Sequence, residues 1–293
     1  MNVISKDSIL SDLRKLGVNK GDVILLNADL FNVGYFNTNK TVTLNDWIEI
    51  LKEAVGIEGC FVTVAFTKTF FRLSKKENIV FNRYSSTTSG ALSSAMVKDK
   101  EAVRSQHPTN SFIGIGHKVN EMLDNHNESS MSYEVIGNII KRNGKFLLLG
   151  TIDKKNAPQA FHYAQEVLGF TKFSPYKWLM QTYYEDKYGK KKIFTRKDFG
   201  GCSAGGYHLY GSLIVEDAIK FGDIGNAKSA LMNAKECYEI IYNELKKNKT
   251  LILCGNKDCS SCYGNVFYNG FGVIPYFIKK VAVFLKLKKL LIF

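Results

Sequence analysis

Two histidines and the polar groups around them are the strongest candidates for chemistry in this chain. His162 lies in Phe161-His-Tyr-Ala-Gln-Glu166, where it opens a predicted helix just after a strand and a turn at 156–158. A neutral imidazole in that position can take a proton from an amine nucleophile when a carboxylate fixes its tautomer and stabilises the imidazolium. Asp198 and Glu166 are the candidate carboxylates. Upstream, Arg104, Ser105, His107, Asn110 and Ser111 crowd into eight positions beside Pro108, a density that suits a ligand-facing loop. Arg104 can pair with phosphate, and Ser105 with its N–H can bond a carbonyl or phosphate oxygen. Taken singly, each histidine also fits a hydrogen-bonded structural role. A third cluster is Cys254, Cys259 and Cys262, with Cys202 as a further thiol in a Gly-rich stretch. Four thiolates would bind structural zinc. Only one C-x-x-C pair is present, however, so free or weakly redox-active thiols are the expectation, and no metal.

Alternating helices and strands must position these groups. Residues 5–17 read as an amphipathic helix stopped by Gly17, followed by a buried strand at 22–27. Thr43 is placed to cap a helix running to Val55, and 60–66 is the next buried strand. The pattern continues with a helix at 89–98, a segment at 111–116, a helix at about 131–143 and the apolar strand 145–150. Residues 157–168 read as helical, 173–198 as short strands broken at Tyr188-Gly189, and 225–248 as one long helical stretch. This is an α/β fold: a mixed, mainly parallel β-sheet flanked by helices, with a smaller C-terminal α/β portion. One domain over 1–274 followed by a basic amphipathic tail over 275–293 is expected. The tail suits an anionic membrane surface or a partner chain, or a core helix with snorkelling lysines.

Composition narrows the partners. Of 293 residues, 40 are Lys or Arg and 27 are Asp or Glu, a formal +13, which points to an anionic partner. No nucleic-acid-binding motif stands out, so coenzyme A and nucleotide sugars, with their phosphates, explain the sign better. The N-terminus lacks the apolar run of a secretory signal, which predicts a cytoplasmic protein with reduced thiols.

The chain resembles the aminoglycoside 3-N-acetyltransferases. The resemblance runs from Leu16-Gly-Val-Asn-Lys-Gly-Asp22 and Asn27-Ala-Asp-Leu30 through Thr87-Thr-Ser-Gly-Ala-Leu92 to the Arg-Ser-x-His-Pro-x-x-Ser signature, complete from Arg104 to Ser111. It continues at Leu148–Gly150, Phe161–Gln165 and Asp198-Phe199. The family's Glu three residues after the histidine is Gln165 here, and its His-Ser-Ser turn is Asn27-Ala28-Asp29.

The resemblance implies an acyl-coenzyme-A-dependent N-acyltransferase in which His162 deprotonates a substrate amine that attacks the thioester directly. Asp198, or Glu166, would orient His162. Arg104, Ser105, His107, Thr88 and Ser89 would hold coenzyme A, and Asn27, Asp29, Gln165 and Tyr163 the substrate. Aminoglycosides are polycations that call for an acidic cleft, whereas this chain is basic. The expected substrate is therefore a nucleotide-linked amino sugar whose base stacks on Tyr163, Tyr176, Phe199 or Tyr207. An aminoglycoside is the alternative, and a non-enzymatic membrane-associated binding module the second alternative.

Overall fold

The computed structural model of the chain describes residues 3–36, 40–74, 80–152, 157–170, 172, 179–198, 202–256, 259, 262, 278 and 281. Its large sheet is built from β1 (Val23–Ala28), β2 (Cys60–Val64), β5 (Val103–Arg104), β6 (Phe112–Gly116), β7 (Lys145–Leu149), β10 (Lys220–Ile224) and β11 (Ala227–Asn233). Their spatial order is β10-β11-β7-β1-β2-β6-β5. A small second sheet joins β3 (Phe70–Phe71), β4 (Val80–Phe81), β8 (Met180–Glu185) and β9 (Lys191–Thr195). The helices are α1 (Lys6–Leu16), α2 (Leu30–Val33), α3 (Lys40–Val55), α4 (Ala91–Met96), α5 (Val119–Leu123), α6 (Glu134–Lys141), α7 (Ala160–Val167), α8 (Leu209–Val215) and α9 (Ala234–Lys247).

The sheet is mixed. Its centre is parallel, with β1 pairing β2 on one side and β7 on the other, while β6 and β11 add antiparallel on the flanks. The apolar runs noted in the sequence are strands buried on both faces, as a covered parallel centre requires. Alternate side chains go to opposite faces because the strand period is two. Ile24, Leu26, Phe61, Leu147 and Leu149 enter the core under α1, α3 and α4. Leu25, Val62, Phe146 and Leu148 enter the core under α5, α6, α7, α8 and α9.

α1 ends where the sequence says it should. Gly17 has φ 115°, and its N–H donates to the carbonyls of Leu13 and Arg14. A side chain there would strain the left-handed turn that feeds β1.

Two expectations are corrected. Thr43 does not start the helix: α3 begins at Lys40 and Thr43 is buried within it. The stretch 225–248 is not one helix. Ala227–Asn233 carries good helix formers, yet it pairs with β10 and β7 as a strand whose Ser229–Met232 are buried, so sheet pairing overrides propensity. Asn233 then starts α9 by accepting the N–H groups of Lys235 and Glu236.

Apart from positions 278 and 281, the tail 275–293 lies outside the described residues, as do Tyr176 and Phe199. No helix among the described residues is long and apolar enough to cross a membrane.

Candidate active site

The carboxyl ends of β1, β2 and β7 point the same way, and ligands of open α/β sheets bind beyond such ends. From β7 the chain passes through Gly150 and a loop into α7. Ala160, Phe161 and Ala164 of α7 are buried in the core, so the helix is anchored by one face while His162 projects beside it, half-buried. The His162 ring stacks on Tyr133 with centroids 4.9 Å apart and planes at 14°. Tyr133 meets Phe66, at the end of β2, edge to face at 6.1 Å. Phe66 in turn receives the Ser89 hydroxyl oxygen on its N–H at 2.7 Å. A continuous set of contacts thus joins His162 to the turn that opens α4.

His162 Nδ1 lies 3.1 Å from Gln165 Oε1. The amide oxygen can only accept, so Nδ1 carries the proton and Nε2 keeps the lone pair. Burial lowers the His162 pKa to about 4. The Gln165 bond and the charge of Asp198 act against that fall, and Arg196 adds to it. The ring is therefore neutral at pH 7 and competent to accept a proton at Nε2.

The two candidate carboxylates do not touch this imidazole as expected. Glu166 points the other way and accepts the N–H groups of Ser132 and Tyr133, at 2.9 and 2.8 Å, at the start of α6. Burial raises its pKa to about 7. Asp198 is fully buried and forks onto Arg196, with Nη2 at 2.8 Å from Oδ2 and a second, shorter bond from Nε. It acts on His162 through its field, screened by that arginine. The residue on Nδ1 is Gln165, assigned from the sequence to the substrate.

The Arg104–Ser111 signature is also reassigned. Arg104 is buried, and its guanidinium donates to Ser111 Oγ at 3.0 Å, to Ala65 O at 2.7 Å, to Arg83 O and Thr67 Oγ1 at 3.3 Å, and to Ser85 O. All five donors of an arginine face such acceptors, so no fork is left for a phosphate. Burial lowers its pKa only to about 10, so the cation persists at neutral pH. Ser105 Oγ accepts Phe112 N–H at 2.9 Å and lies 2.9 Å from His126 Nδ1. His107 has no exposed surface, takes Asn110 N–H on Nδ1 at 3.0 Å and stacks on His126 at 4.8 Å. These residues build the wall behind the site rather than its ligand-facing surface.

Asp29 caps α2 through the Asn32 N–H and side-chain amide, and Asn27 lies half-buried at the end of β1. Tyr163 packs between helices, its hydroxyl against Gly137 of α6 and its ring 5.3 Å from Tyr238 of α9. Asp29 and Tyr163 are thus each engaged by the protein's own groups. Thr88 and Ser89 keep their expected role open. Exposed Thr88 lines a groove of about 820 Å³ with Gly90, Ser94, Lys98 and Ile48, although His162 itself is not among its walls. Sequence reasoning missed Tyr133, His126 and Arg196, which carry no local signal because each acts across the fold.

His126 makes the wall acid-sensitive. With Nε2–H donating to Met131 O and Nδ1 accepting from Ser105, a second ring proton displaces the Ser105 hydroxyl proton, and burial lowers the pKa to about 4. The unfolded imidazole takes its proton near the ordinary value of about 6.5, so this stability is full above that pH and is lost as pH falls towards 4. The His126 share of the loss between pH 7 and 4.5 should be on the order of 2 kcal/mol. Glu166 titrates in the opposite sense in the same window, so the informative measurement is a difference. In urea unfolding at both pH values, His126→Phe should shrink the pH-dependent loss relative to wild type. An unchanged loss would show that His126 is not its source.

A family profile described as aminoglycoside 3-N-acetyltransferase matches residues 25–246. Aminoglycoside N(3)-acetyltransferase III of Salmonella sp is 26% identical over 179 residues, which is 56% of this chain and 60% of that relative. This chain therefore matches less than two thirds of the curated relative's length. Among solved structures, AAC(3)-IVa in complex with gentamicin superposes with TM-score 0.72 at 19% identity, covering 89% of this chain and 96% of that one. AAC-IIIb as a binary complex with CoASH gives TM-score 0.68 at 18% identity, covering 84% and 97%. At these identities the superpositions show a shared fold.

Proposed function

Because the chain belongs to the aminoglycoside 3-N-acetyltransferase family, we propose that it is an acyl-coenzyme-A-dependent N-acyltransferase whose acceptor is an amine of an aminoglycoside. The observation that carries this reading is the neutral His162 ring, oriented by Gln165 Oε1 and stacked on Tyr133. In the proposed step the substrate amine attacks the thioester carbonyl, the C–N bond forms and the C–S bond breaks. His162 Nε2 takes the amine proton and returns it to the departing thiolate, which leaves as coenzyme A thiol. As the imidazolium forms, Asp198 supplies negative charge nearby, and Arg196 keeps that carboxylate in place.

The groove beside Thr88 and Ser89, with the Lys98 ammonium on its wall, is the proposed seat of acyl-coenzyme A. Support for the donor comes from the AAC-IIIb complex with CoASH, and for the acceptor from the gentamicin complex of AAC(3)-IVa. A nucleotide-linked amino sugar is the second reading, favoured by the net charge of +13.

The test is release of free thiol from acetyl-coenzyme A against a panel of aminoglycosides and nucleotide-linked amino sugars. Turnover with an aminoglycoside is expected. Turnover confined to the nucleotide sugars would select the second reading, and none with either class would sink both.

A further inference from the structure

Four cysteines that are far apart in sequence converge in space. The Sγ atoms of Cys202, Cys254, Cys259 and Cys262 all lie within 4.8 Å of one another. We propose that these four thiolates form a structural zinc site that clamps Cys202 to Cys254, Cys259 and Cys262. Tetrahedral zinc with Zn–S bonds of about 2.3 Å needs sulfur–sulfur separations of about 3.8 Å, so metal binding requires only a small contraction of the cluster. The spacing C-x4-C-x2-C over 254–262 falls within the ligand spacing of structural zinc sites, and Cys202 supplies the ligand that the second C-x-x-C would otherwise give.

Local geometry supports the same ligand set. Cys259 N–H closes a turn on Asn256 O at 2.9 Å. The segments around Gly205 and Ile252 are in direct contact. A Cβ on Gly205 would fall 2.0 Å from Ile252 O, so the backbones touch at a place only glycine permits, and His208 Nδ1 lies 2.6 Å from Leu251 O. Cys262 is buried and the other three are half-buried. Four protein ligands leave no open coordination position, which makes the role structural. Cys60 and Cys237 are different in kind: each is buried in the core away from this cluster, with Cys237 against Met232.

The clamp backs the candidate active site. Gly206 follows directly and packs so closely on Ala157 and Phe161 that an added Cβ would lie 2.3 Å from the Ala157 Cβ. Phe161 precedes His162, so a metal holding 202–206 also holds the floor under α7.

The test is metal analysis of the full-length protein purified without chelator from zinc-supplemented cells, with about one zinc per chain expected. A thiol-blocking mercurial should release that zinc stoichiometrically. Cys259→Ser with Cys262→Ser should cut bound zinc at least about tenfold and lower Tm by about 5 °C or more, while Cys60→Ser should leave zinc unchanged. If the double variant fails to fold, cobalt substitution of the wild type decides, and a tetrahedral cobalt–thiolate spectrum is expected. Zinc below about 0.1 per chain with four freely titrating thiols, a mass lower by the hydrogens of a disulfide, or an iron–sulfur chromophore would each overturn the assignment. None of these readouts depends on which amine the enzyme acylates.

Discussion

Replacing His162 with alanine is expected to lower kcat by about 100- to 10,000-fold, the usual contribution of a positioned general base, with KM for acyl-coenzyme A little changed. The ring makes one hydrogen bond and two ring contacts, with Tyr133 and Phe161, so the variant should lose about 2 kcal/mol of stability. Near-normal turnover would remove His162 from the mechanism. The Gln165 contact adds a sharper arm. With a neutral amide on Nδ1, burial holds the pKa of His162 to about 4, and the acid limb of kcat/KM should lie well below the ordinary histidine range. Gln165→Glu puts a carboxylate at that contact, where it stabilises the imidazolium and should move the limb up by about one pH unit or more. An unmoved limb would mean that Gln165 does not set the basicity of the ring.

The largest stability effect is expected at Arg104. Arg104→Met removes the donors that Ala65 O, Ser85 O, Arg83 O and Ser111 Oγ share; Ala65 O keeps the Ser111 hydroxyl, while the Ser85 and Arg83 carbonyls lose their donor at about 1–3 kcal/mol each, and the packing of the buried side chain is lost as well. A loss of about 3 kcal/mol or more should appear as a lower urea midpoint at unchanged slope. Arg104→Lys should recover only part of it, because an ammonium has three donors and no planar fork. The folded fraction should bind acyl-coenzyme A with near-normal KM. Normal stability with a tenfold higher KM would return Arg104 to the phosphate role suggested by its loop.

These two residues mark what was legible in the sequence. Strand runs such as 23–28 and 145–149, buried on both faces, and the helix stop at Gly17 are local signals, and they survive into the structure. His162 stands out in the sequence as a candidate because a histidine opening a helix after a strand is also a local signal, and the structure places it in α7. Arg104, Ser105 and His107 were misread because residue type alone does not say whether a polar group faces a ligand or the protein's own carbonyls. Their acceptors lie as far away as Ala65 and His126, which only the fold brings near. β11 was hidden for a related reason: its helix-forming residues are held extended by β7 and β10. The fourth thiol, Cys202, is 52 positions from Cys254, so the sequence offers it as a candidate and the fold brings it to the other three.

The order of the large sheet bears on solubility. Its margins are β5, two residues long, and β10, whose Lys220 and Asp223 interrupt any apolar ladder. Both are poor templates for a strand from another molecule. Arg104 is half of β5, and its side chain pins that margin to the 83–85 turn and to the end of β2. Its loss should therefore free the edge of β6 as well as weaken the fold, and the Arg104→Met protein is expected to accumulate as strand-paired aggregates on warming, before the bulk of the chain unfolds.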